Sequence, residues 1–205
     1  MIYSSKSLFL TKVFFMKKVI LIVFVLFIGI STQAQNPGND WLLSVGVNTV
    51  ANFGTRNPFE DLNDNTGRFA FKYPVAVGIE RRWTKYLYIE QDVTLNGFKE
   101  NEFIDNGTPE KDLFYFSTNT TLKYYFDDLL FKNSDWLNLY TGAGVGMFNL
   151  EEFNTSINIV FGTVVWVSDN IGIRLGTMGK FAFDADSKKY DNNHYQFMLQ
   201  GVFKL

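Results

Sequence analysis

The chain has 205 residues, 46% hydrophobic and 18% aromatic, with 22 Phe, 10 Tyr, no Cys and a formal net charge of -2. The absence of cysteine excludes a disulfide framework and cysteine metal sites, and the absence of a basic excess argues against nucleic acid as a partner. So aromatic a chain with a mean hydropathy of only -0.04 is too polar for a helical membrane protein, and suits strands that alternate apolar with polar residues.

Lys17-Lys18 precedes an apolar run, Val19 to Ile30, which ends in Ser31-Thr32-Gln33-Ala34-Gln35. A basic start, an apolar stretch of about a dozen residues and a small-x-small exit define a secretory signal peptide over residues 1–34, cut before Gln35. The run is short of the roughly 20 residues of a spanning helix. The lysine pair also argues against an uncleaved anchor from Leu8 to Ile30. Met16 offers an alternative start that leaves an ordinary signal. Removing residues 1–34, whose only charges are four lysines, takes the net charge from -2 to -6. Residues 35–205 are expected to form one domain.

From Trp41 onward the chain divides into alternating segments separated by turn residues. Trp41, Leu43, Val45 and Val47 oppose Ser44, Gly46 and Asn48. After a polar loop from Asn52 to Arg68, Lys72 to Arg82 sets Tyr73, Val75, Val77 and Ile79 against Pro74, Ala76, Gly78 and Glu80. Beyond the Trp83–Tyr86 turn, Leu87, Ile89, Val93 and Leu95 oppose Glu90, Asp92 and Thr94. A second polar loop, Phe98 to Asp112, leads to Phe114, Phe116, Leu122, Tyr124 and Phe126, set against Ser117, Asn119, Thr121 and Lys123.

Asp127 to Asp135 connects to Leu137, Leu139, Val145 and Met147, opposite Tyr140, Gly142, Gly144 and Gly146. Asn149 to Ser156 reads as a loop. Ile157 to Val167 is apolar on both faces at Val160 and Val164. Ser168-Asp169-Asn170 turns into Ile171, Ile173 and Leu175, opposed by Gly172, Arg174, Gly176, Met178 and Lys180. A last polar loop, Asp184 to Asn193, reaches His194 to Leu205. There Tyr195, Phe197, Leu199, Phe203 and Leu205 share one face, against His194, Gln196, Met198, Gln200 and Lys204.

About eight strands of ten or so residues, an even number with short and long connections in turn, predict an all-β, eight-stranded antiparallel up-and-down transmembrane barrel. Strand lengths suit a tilted bilayer crossing, with the last strand pairing with the first. Trp41, Trp83, Trp136 and Trp166 then fall on the same rim, as an interfacial aromatic belt would. The inward glycines at 142, 144, 146, 172 and 176 suit a narrow interior.

With a cleavable signal, Gln35 as first mature residue, alternating strands and an aromatic last strand, the chain resembles the small OmpA/OmpX-type outer-membrane barrels. That resemblance implies the outer membrane of a Gram-negative bacterium and recognition of the final strand by the outer-membrane assembly machinery. The family usually ends in Phe, where this chain has Leu205 with Phe203 two before it. No segment follows Leu205, so the peptidoglycan-binding role of longer members is not expected.

Inward charges at Glu80, Glu90, Asp92, Lys123 and Arg174 are expected to neutralise one another and plug the lumen. His194, the single histidine, excludes metal sites built on several histidines. It lacks the His-x-Ser spacing of barrel lipid A deacylases, and reads as a loop-edge residue without a catalytic role. Asp184-Ala185-Asp186-Ser187-Lys188 lacks the Gly and late Glu of a calcium loop. No catalytic group, cofactor or metal is expected, and the protein is expected to be a monomer.

Acidic outer loops, with Glu100, Glu102, Asp105, Glu110, Asp112, Glu151 and Glu152, are expected to be solvated, with contact to cation-bridged lipopolysaccharide or a surface partner as the alternative. The expected partners of the barrel are outer-membrane lipid and lipopolysaccharide. The expected role is non-enzymatic, in envelope integrity or surface contact. The alternatives are a lipid-modifying barrel enzyme, a path for small hydrophobic molecules, or a soluble lipocalin-like barrel whose oily face turns inward.

Overall fold

A computed structural model of the chain describes residues 41–51, 69–101, 104, 107–131, 136–184 and 189–205. The signal segment over 1–34, the loop over 52–68 and residues 185–188 of the calcium-loop-like stretch lie outside the described residues. The elements are β1 (Trp41–Ala51), β2 (Phe69–Ala70), β3 (Val75–Arg82), β4 (Leu87–Phe98), β5 (Leu113–Tyr125), a one-turn helix α1 (Asp127–Leu130), β6 (Leu137–Asn149), β7 (Phe153–Trp166), β8 (Ile171–Ala182) and β9 (His194–Lys204).

Each strand from β3 to β9 pairs antiparallel with the next, β3 pairs with β1, and β9 pairs with β1 from Leu42↔Lys204 to Ala51↔Tyr195. The sheet is therefore a closed eight-stranded ring without free edges. β2 is a two-residue fragment that pairs with the outer end of β1, beyond the point where β3 stops.

Two expected strand boundaries shift, and one connection gains a helix. β3 starts at Val75 rather than Lys72, because Pro74 cannot donate to the ladder and the Val75 N–H bonds the Tyr73 carbonyl at 2.8 Å instead. β7 starts at Phe153, not Ile157. Its first turns carry Asn154 and Ser156 inward and Thr155 outward, so the apolar alternation that marks a strand begins only at Ile157. The connection after β5 holds α1, where no helix is expected from the sequence.

The ring's geometry follows from its register. The pairs Trp41↔Arg81↔Ile89↔Leu122↔Ala143↔Ile159↔Gly179↔Tyr195↔Ala51 make one circuit, which leaves β1 at Trp41 and returns at Ala51, ten residues along. For eight strands that stagger implies a tilt of roughly 40°. A 12-residue strand such as β4 then rises roughly 30 Å along the barrel axis.

The two faces of the wall are inverted relative to a soluble barrel. Inward Ser44, Asn48, Glu80, Thr94, Asn119, Arg174 and Gln196 are buried, whereas outward Val45, Val77, Ile89, Leu122, Val145, Ile159, Leu175 and Leu199 are exposed. In a lipocalin-like barrel the oily face would point inward, and here it points out. Tyr195, Phe197, Leu199 and Phe203 all lie on the outward face of β9, Tyr195 half-buried against its neighbours. Leu205 follows the strand, exposed, and its N–H donates to the Trp41 carbonyl at 3.0 Å.

Candidate functional site

The lumen is filled in layers, and the first lies at the rim where β1 begins. Leu42, Tyr125, Val164 and Val202 pack there with Tyr88 and Trp166. Trp41, Trp83, Trp136 and Trp166 all sit at this end, but they do different things. Trp83 and Trp136 are exposed, and the ring of Trp41 lies against Arg81 at 5.1 Å. Trp166 belongs to the inward parity of β7. Its indole N–H donates to Asn138 Oδ1, and Lys204 stands 4.2 Å over the ring. It helps close the lumen floor, so the belt expected of four tryptophans has three outward members.

Above this floor sits an ion quartet. Arg174 Nη1 is 2.5 Å from Glu90 Oε1 and its Nη2 2.7 Å from Glu80 Oε2. Lys123 Nζ is 3.0 Å from Glu80 Oε2 and 2.7 Å from Glu90 Oε2. The Tyr125 hydroxyl donates to Glu80 Oε1 at 2.7 Å. Each carboxylate thus meets both cations, and the four charges cancel within a space where no member's side chain exceeds 7% exposure. Lys123 also lies 4.4 Å over the Tyr140 ring, whose face attracts a cation. Tyr140 reaches this position because Gly162 and Gly176 leave it room. A Cβ would come within 2.4 Å of its hydroxyl at Gly162 and 2.8 Å at Gly176.

Asp92, expected in the same network, is not in it. Its Oδ1 accepts from Asn119 Nδ2 at 2.6 Å, and Asn119 Oδ1 in turn accepts from Lys180 Nζ at 2.7 Å and from Asn158 Nδ2 at 2.9 Å. Lys180 also donates to Ser117 Oγ. A second, longer charge relay, Asp92–Asn119–Lys180, therefore lies one layer further out. Lys180 shares the inward parity of Arg174, and that parity is the sequence signal by which it joins the lumen charges. With it the two central layers bring together Glu80, Glu90 and Asp92 with Lys123, Arg174 and Lys180 among the described residues. Asp92 Oδ2, Thr94 Oγ1, Thr121 Oγ1 and both Gln196 amide atoms make no hydrogen bond among the described residues.

The outer mouth is closed by an apolar cap. Val50, Phe98, Leu113, Tyr115 and Phe148 from the strands meet Ile104, Leu150 and Tyr190 from the connections. Asp191 ties two of those connections together, accepting from the N–H groups of Leu150, Glu151 and Glu152 at 2.6, 3.2 and 2.9 Å. The pocket between cap and His194 leaves no space for a water molecule.

His194, the first residue of β9 after the last connection, lies beneath this cap and is buried. Its Nδ1 is 2.8 Å from the Asn192 carbonyl, which can only accept, so Nδ1 carries the proton. Nε2 then accepts from the Tyr115 hydroxyl at 2.8 Å. Both ring nitrogens are engaged and the ring packs edge-on against Phe148, with centroids 4.7 Å apart.

A second aromatic ring circles the outer rim, unmarked by any tryptophan. Phe69, Phe71, Tyr73, Phe114, Phe153 and Phe183 are all exposed there, at strand ends and junctions where alternation is weakest. Lys72 pairs with Asp112 at the same height. The hydrogen bond from Lys72 holds the Asp112 carboxyl below its usual range, and Asp112 raises the Lys72 ammonium in return.

The closed eight-stranded antiparallel ring is the fold of the small OmpA/OmpX-type barrels. Among solved structures the chain is similar to Neisserial surface protein A, with a TM-score of 0.55 at 15% identity over 81% of this chain and 97% of that one. Also similar are the N-terminal β-barrel domain of Pseudomonas aeruginosa OprF, at 0.47 and 12% identity over 79% and 96%, and the Yersinia pestis attachment invasion locus protein Ail, at 0.43 and 13% over 80% and 95%. No protein-family model and no curated protein sequence matches the chain.

Proposed function

We propose that the protein is an integral outer-membrane barrel of a Gram-negative bacterium, non-enzymatic, with a sealed lumen, serving envelope integrity or surface contact. One observation carries this reading: the apolar face of every barrel strand points outward and is exposed, between exposed aromatic residues at both rims. In water such a wall is an aggregation surface, whereas in lipid it is the required one. The wall height of roughly 30 Å matches a hydrocarbon core of about 30 Å.

Three features support the sealed state: the floor at Trp166, the ion quartet and the cap over His194. His194 with both nitrogens bonded offers no general base in this arrangement. The partners proposed are membrane lipid and lipopolysaccharide at the wall and rims, and the assembly machinery at β9, with the barrel acting as a monomer.

Membrane fractionation, with gel mobility compared before and after boiling, tests the barrel. Heat-dependent mobility in the outer-membrane fraction is expected, and soluble protein without a shift overturns the reading. Planar-bilayer recording tests the seal: large stable openings of the wild-type protein would sink it.

A further inference from the structure

Residues 83–86 suffice to join β3 to β4, and residues 167–170 to join β7 to β8, on the rim where β1 begins. The link from β5 to β6 at that rim runs over 126–136 and includes α1. Two backbone bonds shape it, from the Leu129 N–H to the Phe126 carbonyl at 3.0 Å and from the Phe131 N–H to the Asp127 carbonyl at 2.7 Å.

Its polar side chains are held toward the barrel. Asp127 is buried and accepts from Asn138 Nδ2 at 2.9 Å. Asp128 pairs at 3.0 Å with Lys85 of the neighbouring turn, whose ammonium also donates to the Tyr86 hydroxyl at 2.9 Å. The turn is thereby fixed with Leu129, Leu130 and Phe131 exposed, 66%, 60% and 46%. Three adjacent large apolar residues on a pinned surface turn call for a covering medium.

The barrel wall indicates which medium. Phe126, at the start of the connection, has its ring 6.3 Å from that of Phe161, an exposed member of the outward face of β7. The apolar surface of the turn is thus continuous with the wall, and exposed Trp136 stands at the other end of the connection. The Lys85–Asp128 pair beside these tips is solvated, at 71% and 50% side-chain exposure. Convex apolar tips next to a hydrated charge pair fit a medium that is apolar on one side and wet on the other, the glycerol–acyl boundary of a bilayer.

We propose that the turn at α1 is a lipid anchor: Leu129, Leu130 and Phe131 insert into the phospholipid leaflet at this rim, and Lys85–Asp128 sits at headgroup level. The inference rests on the outward wall being lipid-facing, and goes beyond it in assigning a connection, rather than a strand, to the bilayer.

Because the chain has no cysteine, a single L130C variant carries one fluorophore without other changes. The labelled, refolded barrel is placed in phosphatidylcholine–phosphatidylglycerol vesicles, gated on heat-dependent gel mobility, and quenched with iodide or with lipids bearing nitroxides at shallow or deep positions. L199C, on the outward face of β9, serves as the wall reference.

The expected result is a blue-shifted probe at position 130 that loses most of its emission to the shallow nitroxide and little to iodide, with position 199 quenched best by the deep one. Iodide quenching at 130 with lipid quenching at 199 overturns the anchor and leaves the barrel reading standing. Iodide quenching at both positions overturns the barrel reading as well. A probe at 130 shielded from both quenchers, with L130C forming disulfide-linked dimers, identifies a second copy as the cover and also overturns the anchor.

Discussion

Arg174 of β8 places Nη2 2.7 Å from Oε2 of Glu80 on β3, across the lumen, although the two strands share no backbone hydrogen bond and the residues are 94 positions apart. The strand ladder stiffens the ring only along its circumference. This pair and its companion to Glu90 act as spokes.

Removing a spoke should therefore cost more than its distance from the membrane surface suggests. Arg174→Met leaves Glu80 and Glu90 sharing Lys123 alone, and a buried charge stripped of its partner costs about 3–5 kcal/mol. Urea unfolding from lipid vesicles should report that loss, and bilayer recordings should show openings absent from the wild type. A variant that also carries Glu90→Gln restores neutrality and should recover much of the stability. Equal loss in both variants would show that packing, not charge, is what Arg174 contributes.

Lys180 should behave as a member of a separate unit. Lys180→Met strands Asp92 and destabilises by a similar amount, while Lys180→Met with Asp92→Asn loses less. Because the relay runs through Asn119 and shares no hydrogen bond with the quartet among the bonds described, its coupling to Arg174→Met should be weaker than the coupling between Arg174 and Glu90. A double-mutant cycle on the two lysine and arginine positions measures this directly.

Tyr115→Phe deletes the donor to His194 Nε2 and leaves a buried acceptor unmet, at a cost of about 1–3 kcal/mol. The imidazole nitrogen chemical shifts should change at Nε2 while Nδ1, still held by the Asn192 carbonyl, changes little. A free, water-exchanging Nε2 in the wild type would contradict the sealed cap.

The Lys72–Asp112 pair sets a pH window. Asp112 is depressed, so its contribution is present at neutral pH and lost as pH falls through its lowered value, below the usual carboxylate range near 4. Lys72 is raised, so its contribution persists at ordinary pH and is lost only above the usual lysine range. The Glu100 N–H, which donates to Asp112 Oδ1 at 3.0 Å, is the local reporter. Its hydrogen-exchange protection should fall in acid and in Asp112→Asn. The wider effect on stability should be small and fade with added salt, since the pair is exposed.

What was legible in the sequence is whatever side-chain parity controls. Alternation assigned Glu80, Glu90, Lys123 and Arg174 to the lumen and Tyr195, Phe197, Leu199 and Phe203 to the wall, because successive strand residues must face opposite ways. Parity does not encode depth, so Asp92 looks equivalent to Glu90 although it bonds one layer away with Asn119. Trp166 has the inward parity of Val160 and Val164, but β7 is apolar on both faces there, which is why Trp166 resembles Trp83 in the sequence. The polar start of β7, the apolar cap over His194 and the outer ring of Phe69, Phe71, Phe153 and Phe183 lie where loops fold back or strands end, and no period governs those places.

The ten-residue offset accumulated in one circuit from Trp41 back to Ala51 constrains how such a chain can change length. Side chains repeat every two residues, so a closed ring must return to its first strand with an even offset, or every lipid-facing residue of one strand would meet the lumen-facing row of the next. The offset is thus quantised, and it belongs to the whole ring rather than to any hairpin. A single-residue insertion within a strand cannot be relieved by sliding that strand. It must be extruded as a bulge or carried to a rim, so length variation should accumulate in the connections while the strands keep their count.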